Sequence, residues 1–221
     1  MWWSTAAEKL TLPSAEQALP GRAEAIPTAE RHAVTGRPLK GPHPADHERI
    51  LFAMGCFWGA ERLFWQAEGV SSTAVGYAGG LSPNPSYREV CSGLTGHTEV
   101  VEVIYAARPG VLEGLLSLFW ERHDPTQGMR QGNDVGTQYR SAIYWETEAQ
   151  ALLIERSRAQ VEESLNRGGH SASGASLTTT IAAMPTFYFA EAEHQQYLHK
   201  NPEGYCGLKG TGLSCALTPA R

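Results

Sequence analysis

The chain has 221 residues, 42% hydrophobic and 19% charged, with a formal net charge of -5 and a pI near 5.9. It is long enough to bury one sizeable core, and its acidic balance offers no general attraction for nucleic acid or an anionic membrane surface, so neither is expected as a partner. No run of about 18 apolar residues occurs, which excludes a spanning helix. The first residues lack a basic segment followed by an apolar one, so no secretory signal is expected and the cytoplasm is the expected location.

Residues 1–48 carry six of the 13 prolines and little apolar periodicity. They read as an irregular extension over the core, with a short helix near Ala6–Leu10 and with Trp2, Trp3, Leu10, Leu12 and Leu19 available for docking; a disordered tail is the alternative. The main domain is expected over 49–200. Ile50–Met54 reads as a buried strand that Gly55 ends, and Phe57–Gln66 as a helix with Ala60, Leu63, Phe64 and Ala67 on one face. Ser72–Gly76 is a second strand, followed by a loop at 81–97 with a helical turn at Tyr87–Cys91. Thr98–Tyr105 is a strand and Leu112–Arg122 a helix. After a polar loop at 123–138, Arg140–Trp145 is a strand.

Thr147 and Gln150 fit the capping box of a long helix over 148–167, stopped by Gly168-Gly169. Thr178–Ala182 and Thr186–Phe189 read as late strands and Ala192–Leu198 as a small helix. Residues 201–221 form a glycine-rich tail, expected to be flexible. Strands and helices alternate, but the second and third strands are joined by a loop with one helical turn and not by a packed helix. This predicts an α+β two-layer sandwich with a ferredoxin-like core in place of a doubly wound sheet.

Four cysteines, Cys56, Cys91, Cys206 and Cys215, are too few and too scattered for a disulfide scaffold. In Gly55-Cys56-Phe57-Trp58-Gly59 the thiol sits where a buried strand becomes a helix. There it faces unpaired backbone N–H groups and the positive end of the helix dipole, which favour the thiolate. Phe57 and Trp58 put two large aromatics beside the sulfur, either as pocket walls or as packing. No CxxC pair occurs and no metal site is predicted.

The stretch GCFWGAE resembles the signature of the A-type methionine sulfoxide reductases. The likeness continues through GYAGG (76–80), residues 83–103, residues 119–144 and HQQYLHKNPEGYC (194–206), in the family's order and spacing. The resemblance implies that Cys56 is the nucleophile for a sulfoxide sulfur, with Glu99 the acid, Tyr87 and Tyr139 phenolic donors to the oxygen, and Asp134 a supporting carboxylate. Phe57 and Trp58 would wall the methyl group. An acid working near neutral pH needs burial, so Glu99 is expected to be shielded by those aromatics.

Attack by Cys56 would leave a sulfenic acid that Cys206, and then Cys215, resolves before thioredoxin reduces the chain. Cys91 is expected to be a bystander, and His194, Gln195 and Tyr197 supporting structure. The implied substrates are the S epimer of methionine sulfoxide in oxidised proteins and as the free amino acid. No cofactor is implied and a monomer suffices. Another thiol enzyme using the same cysteine, such as a peroxidase, is the competing reading; it would need no aromatic cage for a thioether.

Overall fold

The computed structural model describes residues 10–167, 176–212 and 215. Within them the chain runs β1 (His47–Met54), α1 (Phe57–Trp65), β2 (Val70–Ala78), α2 (Tyr87–Cys91), β3 (Thr98–Ala106) and α3 (Val111–Arg122). A two-residue hairpin follows, β4 (Arg130–Gln131) with β5 (Asp134–Val135), then a 3-10 turn at Thr137–Tyr139. The rest is β6 (Ser141–Trp145), α4 (Glu148–Arg167), β7 (Thr180–Ala183), β8 (Tyr188–Phe189) and α5 (Tyr197–Lys200).

The main sheet has the order β7-β6-β1-β3-β2-β8. Its four central strands pair antiparallel throughout. β1-α1-β2 spans β3, and β3-α3-β6 spans β1, so two split β-α-β units interlock. This is the expected ferredoxin-like α+β arrangement. β7 adds parallel to β6, and β8 antiparallel to β2.

The helices cover one face. Phe52 of β1 stacks on Phe64 of α1 at 4.7 Å and meets Phe119 of α3 at 5.4 Å. Trp120 closes the layer, its indole N–H donating to Ser157 of α4 at 2.9 Å, which satisfies the one polar atom its burial would strand. On the other face Leu51, Ala53, Ala78, Val100 and Ala142 pack under Ala182, Met184 and Phe187. Covered on both faces, β3 is buried along its whole length, glutamates included.

Among the described residues the extension has a single bridge, Arg31 to Pro38, and little other regular structure before β1. It is tied to the core by specific bonds. Leu19 N–H donates to Leu94 O, and Arg22 reaches Asn84 O at 2.7 Å and the Glu89 carboxylate at 2.8 Å. His32 and Leu39 are buried. The predicted helix at Ala6–Leu10 falls almost wholly outside the described residues, as does the Gly168-Gly169 stop. The Thr147–Gln150 capping box is present, each side chain bonding the other's backbone N–H.

The predicted helix over Ala192–Leu198 is corrected: 192–196 are turns, and α5 starts only at Tyr197. Gln196 takes left-handed angles, φ 47° and ψ 44°, which no continuous helix passes through. The tail is docked where it is described. Leu208 packs on the core, and Cys215 is buried against α3.

Candidate active site

Cys56 is the residue before α1 begins. Gly55 makes the turn at φ +87°, and a Cβ there would strike the Gln131 side chain. Gln131 also holds Asp124, accepting from its N–H and donating to its carbonyl. The β4–β5 hairpin is thereby seated beneath the strand-to-helix turn, and Asp134 comes with it.

β3 brings the carboxylate. Glu99, 1% exposed, accepts the Phe57 backbone N–H at 2.9 Å through Oε2, while its Oε1 has no hydrogen-bond partner. Burial drives its pKa up to about 8, the Phe57 N–H opposes this, and the Asp134 charge adds to it. A buried carboxyl oxygen without a partner is costly unless it carries or delivers a proton.

The thiol departs from the sequence expectation. The Trp58 N–H does favour a Cys56 thiolate, as the helix start predicts. Burial and the Glu99 charge outweigh it, and the pKa lies well above that of a free cysteine. At rest Cys56 is a thiol beside a carboxyl group, and each disfavours the charged form of the other.

Tyr87 opens α2, and Tyr139 ends the 3-10 turn just before β6. Burial raises both phenols above their ordinary value, and the Glu99 charge acts on each. They therefore remain O–H donors at any working pH. Asp134 accepts from the Tyr205 hydroxyl at 3.1 and 3.2 Å; burial raises its pKa, and that hydrogen bond holds it down.

Phe57 and Trp58 head an aromatic cluster. Phe57 lies 6.3 Å from Tyr87 and 5.6 Å from His194, and Trp58 stacks on Tyr197 at 3.9 Å. Trp58 also donates its indole N–H to His194 Nδ1 at 3.3 Å. Glu191 ties the far side, accepting from the Tyr77 hydroxyl at 2.9 Å and the Tyr87 N–H at 2.7 Å. Sequence reasoning missed Glu191 and Tyr205. Only the position of Tyr205 directly before Cys206 offered a clue.

Cys206 lies over the first turn of α1, its sulfur 3.0 Å from where a Cβ on Gly59 would sit, so that glycine makes room for it. Cys91 is one turn from Tyr87 on α2, and its sulfur adds to the rise in the phenol's pKa. Cys215 is apart from this group. Its N–H donates to Glu121 Oε1 at 3.0 Å and its carbonyl accepts from Ser117 at 2.7 Å, both on α3; burial and the Glu121 charge push its thiol up to about 11. Among the described residues no cluster of His, Cys, Asp or Glu could hold a metal ion, and no helix is long and apolar enough to cross a membrane.

A half-buried cysteine at a helix start, a buried carboxyl with a bare oxygen, two phenols and an aromatic wall come together on a ferredoxin-like α+β fold. A family model described as peptide methionine sulfoxide reductase matches residues 48–215. The chain is 58% identical over 214 residues to peptide methionine sulfoxide reductase MsrA of Ectopseudomonas mendocina, covering 97% of this chain and 96% of that one. It is 57% identical over 210 residues to MsrA of Brucella ovis, covering 95% and 94%. Its fold overlays methionine sulfoxide reductase A of Corynebacterium diphtheriae with a TM-score of 0.81 at 43% identity, covering 94% and 99%. It also overlays reduced Mxr1 of Saccharomyces cerevisiae at 0.64 and 35% identity, covering 75% and 91%. The chain belongs to the peptide methionine sulfoxide reductase family, and it is an oxidoreductase acting on methionine sulfoxide.

Proposed function

We propose that the chain reduces the S epimer of methionine sulfoxide, free and within oxidised proteins, with Cys56 as nucleophile and Glu99 as proton donor. The observation that carries this reading is the buried Glu99 carboxyl, one oxygen fixed by the Phe57 N–H and the other unpartnered, next to the Cys56 thiol. Below about pH 8 the two groups hold two protons, and the reacting form holds one. The reacting arrangement places it on Glu99 and leaves the thiolate on Cys56.

The thiolate attacks the sulfoxide sulfur as Glu99, aided by the Tyr87 and Tyr139 hydroxyls, protonates the oxygen. The new bond between the Cys56 and methionine sulfurs forms as the S–O bond breaks. The protonated oxygen then passes as hydroxide to the Cys56 sulfur while the sulfur–sulfur bond breaks, so methionine leaves and Cys56 becomes a sulfenic acid, the methionine sulfur reduced by two electrons and the cysteine oxidised by two. Asp134 and Tyr205 brace the edge of the site, and Phe57 and Trp58 receive the methyl group. Cys206 then condenses with the sulfenic acid, forming a disulfide and releasing water.

Cys215 exchanges onto Cys206 and frees Cys56, which requires the segment after Cys206 to leave α3. An external dithiol protein such as thioredoxin reduces the resulting disulfide. The domain reading follows: 49–200 carries the chemistry, 1–48 braces the loop that bears Tyr87, and 201–221 recycles the nucleophile.

One methyl wall and one oxygen site accept one hand of sulfur. Incubated with racemic methionine sulfoxide and a dithiol, the protein is expected to consume half of the material, and chiral chromatography should find the R epimer intact. Equal loss of both epimers would refute the arrangement.

A further inference from the structure

Glu61 lies on α1 one turn beyond Phe57 and is fully buried, yet it touches none of the groups that handle the sulfoxide. Three donors converge on it. Gln196 gives its backbone N–H to Oε2 at 2.7 Å and a side-chain N–H to Oε1 at 2.6 Å, and the Thr73 hydroxyl reaches Oε1 at 3.1 Å.

The direction of the Thr73 bond is set from outside. His32 Nδ1 accepts the N–H groups of Val34 and Thr35, so its Nε2 carries the hydrogen and donates to Thr73 at 3.0 Å. The Thr73 hydroxyl hydrogen is left for Glu61. Acceptor lone pairs of the Glu61 carboxyl meet all three donors, and these hydrogen bonds oppose the burial that pushes its pKa up to about 7. The remaining side-chain oxygen of Gln196 accepts the Ala33 N–H at 2.8 Å, which brings the N-terminal extension into the same node.

This node fixes Gln196 in its left-handed conformation. The residue after it, Tyr197, stacks on Trp58 at 3.9 Å, and two residues before it His194 takes the Trp58 indole N–H. We propose that Glu61 is a positioning residue for substrate: by gripping Gln196 it sets the turn that clamps Trp58 as the methyl-binding wall. The inference rests on the reading of Trp58 as that wall.

The test measures single-turnover methionine release from reduced protein against the concentration of free L-methionine S-sulfoxide. Glu61→Gln turns an accepting oxygen into an N–H₂ that faces donors. It should raise the half-saturating concentration about tenfold and leave the limiting rate within about twofold, since binding geometry is loosened while Cys56 and Glu99 are untouched. Adding Gln196→Glu to it rebuilds a matched donor and acceptor and should recover most of the affinity.

Gln196→Asn keeps a residue at ease in left-handed backbone and keeps the backbone N–H bond to Glu61, but its side chain is too short to reach Oε1, so it should show part of the loss seen in Glu61→Gln and decides the matter if that variant does not fold. Trp58→Ala serves as the reference. If it leaves half-saturation unchanged, the wall reading fails and this inference with it. If Trp58→Ala weakens binding while Glu61→Gln and Gln196→Asn do not, or if those two lower only the limiting rate, the positioning role of Glu61 is wrong and the wall reading stands.

Discussion

Cys56→Ser is expected to fold as well as the parent and to lose sulfoxide reduction by on the order of 10⁴-fold or more, under thioredoxin or a small dithiol alike. The two halves of that expectation have separate causes. Position 56 is the N-cap of α1, and serine is a preferred N-cap residue whose hydroxyl can accept an N–H of the first turn. Thermal unfolding should therefore stay at or slightly above the parent value. The hydroxyl proton is far too tightly held for Glu99 to share, so no usable anion forms, and oxygen in place of sulfur cannot enter the sulfenic acid and disulfide sequence. Measurable multiple turnover by a well-folded Cys56→Ser protein would remove Cys56 from the mechanism.

Glu99→Gln should cost about 10²- to 10⁴-fold in the single-turnover rate, the usual range for loss of a positioned acid. The amide oxygen can still accept the Phe57 N–H, so the α1 start is preserved, but nothing protonates the departing oxygen. The pH dependence carries the sharper signature. Below about 8 both Glu99 and Cys56 are protonated, and the reacting form requires one proton fewer. The parent rate at low sulfoxide concentration should therefore climb as pH rises through about 8 and then level, since the raised Cys56 thiol retains the last proton. In Glu99→Gln that climb should vanish and the rate should follow the thiol alone. A parent rate that falls through this window would mean that both protons are needed, contrary to the shared-proton arrangement.

Where hydrophobic pattern and capping agree, the chain was legible. The strand at Ile50–Met54, the helix after Cys56, the Thr147 capping box and the split β-α-β order all lie where local physics puts them. The site was less so. TEVVEVIY announces a strand, but not that it lies at the centre of a sheet covered on both faces, and its two glutamates would ordinarily be placed in water. The role of Glu99 came from family resemblance, and its burial from tertiary placement.

The helix-dipole argument for Cys56 was right in sign, and the Trp58 N–H acts as expected. It could not anticipate a buried carboxyl contributed from 43 positions further along the chain. The turn at Gln196 was not legible either, because nothing local makes glutamine left-handed; a carboxylate on α1 does that. Nor could the composition of the tail reveal that Ser117 and Glu121, one turn apart on α3, hold the backbone of Cys215.

The most direct test is peptide mapping by mass spectrometry of the fully reduced protein, after one equivalent of methionine S-sulfoxide and rapid alkylation. A Cys56–Cys206 linkage should appear first and pass to Cys206–Cys215 with time. In Cys206→Ser, Cys56 should be recovered as a trappable sulfenic acid with about one methionine released per chain, and in Cys215→Ser the Cys56–Cys206 linkage should accumulate. Cys91 should remain a free thiol throughout. A first disulfide containing Cys91, or methionine release with Cys56 unoxidised, would contradict the account.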